Sequence, residues 1–115
     1  MKKTKMLKKN YEFRKVLSKG MYFSGNYIQA AILKNRDSSN YLGLAVNTKS
    51  GKAFQRNRIK RLLRENYKIQ EEELKDGYSI VFLIKKKTEI SKLNFQDIKK
   101  DMEMIITKSR IYNES

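Results

Sequence analysis

The sequence contains no cysteine, no histidine and no proline. Without cysteine, the chain can form neither disulfides nor thiolate metal sites. Without histidine, it lacks the commonest general base and a frequent metal ligand. It also has no Ser-x-x-Lys pattern, no Gly-x-Ser-x-Gly pattern and no glycine-rich phosphate loop of the Walker type. These absences argue against an enzyme that carries its own catalytic groups.

Acidic residues are scarce, because 12 Asp and Glu stand against 27 Lys and Arg, which leaves a net charge of +15 over 115 residues. Such a balance favours a polyanionic partner, either nucleic acid or an anionic membrane surface. We interpret the acidic run at 71–73 as a solvated helix end rather than a metal site. We therefore expect no metal and no other cofactor bound by the protein, and no small-molecule substrate.

Long apolar segments are absent as well. No stretch of about 18 apolar residues is available to cross a membrane. The N-terminus is basic, but no apolar core of a signal peptide follows it. We expect a cytoplasmic protein with no membrane partner.

The most informative segment is 52–68, which holds seven basic residues and one acid, Glu65. Wound as a helix at about 100° per residue, it separates into two faces. The apolar face consists of Ile59, Leu62, Leu63 and Ile69, with Tyr67 near the border. An arc of roughly 140° on the other side contains the polar residues Arg56, Asn57, Lys60, Arg61, Arg64 and Lys68.

Charged helix faces are usually solvated surface without a specific partner. Here acidic residues at i,i+4 that would neutralise the row are nearly absent. Four of the seven cations in the segment are arginines, whose planar fork suits bidentate contacts with phosphate. The pattern therefore favours a helix that binds a polyanion. Arg58 lies apart from the row, and an ion pair with Glu65 is an alternative explanation for it.

Length and pattern predict one α+β domain over residues 1–115, with 1–9 as a basic, flexible arm. Asn10 and Gly20 bound a first helix over 10–19. Strands are predicted at 21–23, 26–34, 41–47 and 78–84, the basic helix between the last two of them, and a final helix after Asn94. The order is α-β-β-β-α-β-α.

The strand at 41–47 has two unlike faces. Leu42, Leu44 and Val46 point one way, and the small residues Gly43 and Ala45 point the other way. The small face leaves room either for a ligand or for a closely packed helix, and the sequence favours neither.

At 56–61 the residues Arg-Asn-Arg-Ile-Lys-Arg, preceded by Gly-Lys-Ala at 51–53, resemble the protein subunit of bacterial ribonuclease P. The whole segment 42–64 is similar to the signature of that family. Residues 7–20 are similar to its opening helix, and the resemblance spans about residues 5–112.

The resemblance implies one mixed four-stranded sheet with helices packed on it and a left-handed βαβ crossover, similar to the second domain of one small-subunit ribosomal protein. It also implies a role as the accessory protein of a ribozyme. In that family an RNA subunit, with bound Mg²⁺, cleaves the 5′ leader from precursor tRNA, while the protein binds both the RNA subunit and the leader.

The resemblance assigns residues to two surfaces. Contact with the RNA subunit is implied for Arg56, Asn57, Arg58, Lys60, Arg61 and Arg64. A cleft for the leader is implied for Phe13, Leu17, Asn47, Thr48, Lys49, Lys52 and Lys86. Three positions depart from the family pattern: Leu17 stands where relatives often have an aromatic residue, Ala31 stands where some relatives have tyrosine, and Thr48 stands where relatives have a basic residue.

Two other functions would also require a basic surface. A ribosomal or ribosome-assembly protein would also need it to bind RNA. A DNA-binding regulator would use 54–68 as a recognition helix, but the preceding segment is predicted as strand and loop rather than as the first helix of a helix-turn-helix.

Overall fold

The computed structural model describes residues 3–112. Its strands are β1 (Thr4–Met6), β2 (Met21–Ser24), β3 (Ile28–Lys34), β4 (Asn40–Ala45) and β5 (Tyr78–Ile84); its helices are α1 (Asn10–Lys19), α2 (Ala53–Gln70) and α3 (Phe95–Ser109). The strands form one mixed sheet in the order β1-β4-β5-β3-β2. Both pairs that involve β4 are parallel, and both pairs that involve β3 are antiparallel. The predicted single α+β domain is confirmed in its architecture.

The sheet has five strands rather than four, because β1 lies in the segment expected to be a flexible arm. Thr4 pairs with Asn40 in the parallel ladder. The N–H of Leu7 continues the pairing by donating to the carbonyl of Leu42 at 2.9 Å. Thr4 and Leu7 are buried, whereas Lys5 is exposed. This alternation of buried and exposed residues is short and rich in lysine, so the sequence does not predict a strand there. The strand forms because it pairs with the edge of β4.

Helices α2 and α3 cover one face of the sheet and enclose the larger core. This core joins Ile59 and Leu63 of α2 and Ile98 of α3 to Leu42 and Phe82 of the sheet. The largely apolar β5 is covered on both faces, as its sequence predicts, since Val81 packs in a second cluster on the opposite side.

At the end of α2, the exposure of two side chains differs from the faces predicted for this helix. Ile69, predicted to be apolar-facing, is 55% exposed, whereas Tyr67 is fully buried. The hydroxyl of Tyr67 lies 2.8 Å from that of Thr4 in β1. The acidic run is also not wholly solvated, because Glu71 is buried and accepts from the backbone N–H of Lys3 at 3.3 Å. β1 therefore covers the end of this helix.

Helix α1 packs on the other face of the sheet, over Ala31 and Val81. Phe13 of this helix rests directly on Gly43 of β4. A Cβ built on Gly43 would lie 2.6 Å from Cε1 of Phe13, which no real contact allows. The small face of β4 thus serves close packing of a helix, which decides the alternative left open by the sequence.

The segment β4-α2-β5 joins two adjacent parallel strands. A crossover between these strands is what the resemblance implies. The left-handed sense of this crossover, which would be an exception to the general right-handed rule, stays a prediction.

The carboxylate of Asp101 in α3 anchors the turn between β2 and β3. This buried group accepts the backbone N–H of Asn26 at 2.9 Å, of Tyr27 at 2.6 Å and of Ile28 at 3.0 Å. Three donors satisfy a carboxylate that no basic side chain neutralises in the described ion pairs. The turn is thereby held to the helix.

Candidate nucleic-acid interface

The loop that leads into α2 is built by side chains that bond to its backbone. A single 3-10 turn spans Thr48–Ser50, and Oδ1 of Asn47 accepts the N–H of Lys49 at 2.9 Å. At the helix start, Oε1 of Gln55 accepts the N–H of Lys52 at 2.9 Å. These two caps give the loop a defined shape in place of a flexible Gly-containing connection.

Arg56 turns towards this loop rather than away from the protein. Its Nη1 donates to the carbonyl of Gly51 at 2.6 Å and to that of Thr48 at 3.3 Å. The residue is half-buried. Arg56 is therefore engaged by the protein itself, which its place in the predicted cationic row did not indicate.

The other five motif residues remain accessible along α2. Asn57 and Arg61 are exposed, and the remaining three are half-exposed, namely Arg58, Lys60 and Arg64. The first turn of the helix contains no acidic residue. The positive end of the helix dipole is consequently not offset by a local negative side chain.

Glu65 pairs with Arg61, at 3.8 Å between Oε1 and Nε, so the alternative pairing with Arg58 is wrong. The Arg61 side chain is 62% exposed in this pair. Exposed ion pairs of this kind stabilise a protein by about 0–1 kcal/mol. Arg61 can therefore exchange Glu65 for a phosphate at little cost.

On the opposite face of the sheet, α1 leaves one row of side chains partly uncovered. Ser24, Gln29, Leu83 and Ala45 occupy neighbouring positions across β2, β3, β5 and β4. All four are half-buried, and Leu83 and Ala45 belong to the cluster under α1. Phe13 and Leu17 pack against this cluster from the helix and are half-buried as well. A shallow floor is thus formed beside α1.

The loops at the carboxyl ends of β4 and β5 meet next to this floor. They enclose an open groove of about 460 Å³, and its lining includes Asn47, Lys49 and Lys86. Thr48 and Lys52 are exposed on the same loop but do not line the groove. The structure therefore joins three of the predicted cleft residues in one groove, whereas Phe13 and Leu17 belong to the helix–sheet contact.

The sequence analysis missed three further polar residues, one on the floor beside α1 and two at the groove. Gln29 is the one polar residue within the apolar run of β3, and that interruption is a signal that could have identified it. Lys85 and Lys87 also line the groove, and they belong to a visible run of three lysines. Lys85 is partly engaged, because its Nζ donates to the carbonyl of Gly25 at 3.2 Å.

The chemistry available in this interface is binding. In residues 3–112, no group of three or more acidic side chains is arranged to hold a metal ion. No helix in that range is long and apolar enough to span a membrane. Guanidinium, ammonium and amide groups suit an RNA strand, whose phosphates and base edges need those partners.

A family model described as Ribonuclease P matches residues 1–110. The chain belongs to the ribonuclease P protein family. The ribonuclease P protein component of Clostridioides difficile strain 630 is 37% identical over 110 residues, which cover 95% of both chains. That of Fusobacterium nucleatum is 38% identical over 107 residues, which cover 91% of this chain and 96% of the relative.

Solved structures of ribonuclease P proteins share the fold. The Staphylococcus aureus protein superposes with a TM-score of 0.82 at 24% identity, covering 94% of this chain and 97% of that one. The Thermotoga maritima protein gives a TM-score of 0.79 at 24% identity, covering 90% and 96%.

Membership in the ribonuclease P family confirms the function expected from the motif. The chain is a protein component of ribonuclease P and therefore an accessory subunit of an endoribonuclease in tRNA processing. Its partner is the ribonuclease P RNA. The alternative of a ribosomal or ribosome-assembly protein is not supported, since the relatives and the structural neighbours are ribonuclease P proteins.

Proposed function

We propose that this protein binds the catalytic RNA subunit through α2 and the 5′ leader of precursor tRNA through the cleft beside α1. It acts in the cytoplasm as a single RNA-binding domain and assists Mg²⁺-dependent removal of the leader. The observation that carries the proposal is the accessible row of cationic and amide side chains on α2, together with the groove lined by Asn47, Lys49 and Lys86 at the loop that leads into this helix.

For the RNA subunit, the contact surface is the accessible side of α2. Arg58, Lys60, Arg61 and Arg64 neutralise phosphates, and Asn57 both donates and accepts hydrogen bonds. Arg56 contributes by holding the loop carbonyls of Thr48 and Gly51, which orients the start of the helix.

For the leader, the cleft combines an apolar part with cations. Unpaired bases stack on aromatic rings, and Phe13 presents such a ring with Leu17 beside it on α1. Asn47, Thr48, Lys49, Lys52 and Lys86 supply polar groups for the sugar-phosphate chain. Ala31 is fully buried and so takes no part, and Thr48 adds a neutral hydroxyl, not a charge.

The Mg²⁺ belongs to the RNA in this proposal. The described acidic residues do not form a metal-binding group, so the protein supplies positive charge and substrate contacts only. Reducing the repulsion between phosphates of enzyme and substrate lowers the concentration of Mg²⁺ that the complex needs.

The test is reconstitution at low Mg²⁺ with a bacterial ribonuclease P RNA and a precursor tRNA that carries a 5′ leader. We expect the protein to stimulate cleavage at the mature 5′ end and to show no cleavage by itself. Tight binding to ribosomal RNA without any stimulation would overturn the proposal.

The leader assignment is tested by Phe13→Leu, which keeps apolar packing on Gly43 but removes the stacking ring. We expect weaker binding of precursor tRNA and unchanged binding of mature tRNA to the reconstituted enzyme. Tyr11→Leu on the exposed side of α1 is the matched control. Equal losses for both tRNAs with Phe13→Leu would contradict the cleft assignment.

A further inference from the structure

Phe54, in the first turn of α2, is an aromatic side chain that the protein leaves in water. It is 67% exposed, whereas the other four phenylalanines are buried or half-buried. Phenylalanine has no polar atom that would favour such a position, as the hydroxyl of an exposed tyrosine does. Packing in the core therefore does not account for the ring, which is free to meet a partner.

The surroundings of Phe54 are cationic and polar. On a helix, residues three, four and seven positions away share one face, and from Phe54 these are Asn57, Arg58 and Arg61. Lys52 precedes it at the exposed N-cap, and the first turn carries no acid. A bare ring among cations, of which Arg61 has only a weak, exposed ion pair with Glu65, matches an unpaired nucleotide, whose base stacks while its phosphate is neutralised.

We propose that Phe54 stacks on an unpaired base of the ribonuclease P RNA subunit. The inference rests on the proposed function, because the same helix face carries the motif residues assigned to that RNA. Phe54 lies on α2 three, four and seven positions before Asn57, Arg58 and Arg61, which the proposed function assigns to the RNA subunit. The RNA subunit, rather than the leader, is therefore the occupant.

Affinity and its salt dependence give the first test. Phe54→Ala and Phe54→Leu should each weaken binding of the RNA subunit roughly 5- to 100-fold, the usual range for one lost base–aromatic stack. The slope of log affinity against log salt should not change, since no phosphate contact is lost. Arg61→Ala should lower that slope by about 1, which separates a lost charge from a lost stack.

Fluorescence gives the second test, because the chain contains no tryptophan. In Phe54→Trp, the indole should be quenched when the RNA subunit binds and unaffected by a leader oligonucleotide. Ile69→Trp is the matched control, since Ile69 is exposed at the other end of the same helix. Its emission should change little with either RNA. Both sites are exposed, so the variants should fold as the original protein does, which circular dichroism checks.

The outcomes distinguish this inference from the proposed function. If the unmodified protein does not bind the RNA subunit, the proposed function fails and this inference fails with it. If it binds but Phe54→Ala binds equally tightly and the indole of Phe54→Trp is not quenched, the inference alone is wrong. Quenching by the leader oligonucleotide instead would also overturn it, by placing Phe54 in the substrate path.

Discussion

Arg56 and Arg61 belong to the same basic helix but have different surroundings. Arg56 donates to two loop carbonyls, whereas Arg61 is exposed and pairs weakly with Glu65. Hydrogen bonds from a charged group contribute more to stability than an exposed ion pair does. One arginine of the motif thus serves the protein's own structure and the other is available to a ligand.

We expect Arg56→Ala to lower the free energy of unfolding by about 1–2 kcal/mol, since two backbone acceptors lose a charged donor. Arg61→Ala should change it by less than about 0.5 kcal/mol. Urea denaturation measures the difference, and hydrogen exchange of the amides at 48–52 should become faster only with Arg56→Ala. Equal stability of the two variants would show that the bonds from Arg56 are not maintained in solution.

The turn between β2 and β3 depends on Asp101. Asp101→Asn replaces one carboxylate oxygen by an NH₂ group, which cannot accept from the backbone of residues 26–28. We expect a loss of about 1–3 kcal/mol in the free energy of unfolding.

Glu103→Gln is the matched control for Asp101→Asn, because Glu103 is exposed on the same helix. Thermal melts of the two variants measure the difference. If Asp101→Asn and Glu103→Gln have the same melting temperature, the three hydrogen bonds contribute nothing to stability.

At the scale of elements, β1 links the N-terminal segment to the end of α2. Thr4 contacts Tyr67, and Lys3 donates to Glu71. Burial is the main cause that raises the pKa of Tyr67 to about 12; the negative charge of Glu71 adds to it, and the hydrogen bond with Thr4 opposes it. Burial of the ring at this contact therefore favours the neutral phenol and outweighs the hydrogen bond with Thr4.

This contact predicts a loss of stability at alkaline pH. The pKa of Tyr67 is raised from its ordinary value of 10.0, so its contribution is complete below pH 10 and is lost as the pH rises towards 12. Over that window the unfolding free energy should fall by on the order of 2 kcal/mol more than in Tyr67→Phe. Lysines titrate in both proteins, so the difference between their urea transitions isolates the phenol. Parallel pH curves would contradict the prediction.

At the scale of the whole molecule, the net charge of +15 is barely offset within the fold. The described residues contain two ion pairs, Arg61–Glu65 and Lys92–Glu89, and both are exposed. Self-repulsion of this size destabilises the compact state at low ionic strength. The free protein should therefore gain stability from any anion that it binds.

We expect sulfate to raise the melting temperature by several degrees more than chloride at equal ionic strength. Screening is the same for both salts, and at millimolar concentrations the general stabilising effect of excluded sulfate is small, so the excess reports anion binding to the basic surfaces. A single-stranded RNA should stabilise the protein at a lower concentration than sulfate does. A melting temperature that is the same in both salts would show that the surfaces do not bind free anions.

The local pattern of the sequence was enough to predict most of the fold and the family. The apolar run of β5, the limits of α1 and the capping box of Asn94 and Asp97 are properties of neighbouring residues, and all three are present. The basic motif on α2 also depends on adjacent residues alone. Short-range periodicity suffices there, because each element's own backbone defines its faces.

Tertiary structure decided the features that depend on distant partners. β1 exists because the edge of β4 was free to pair, and three residues carry too little pattern to reveal it. The direction of Arg56, the burial of Tyr67 and the exposure of Ile69 follow from how α2 is rotated against the sheet and where the sheet ends. Periodicity describes the faces of a helix but not which neighbour each face meets, since packing of non-local surfaces sets that rotation.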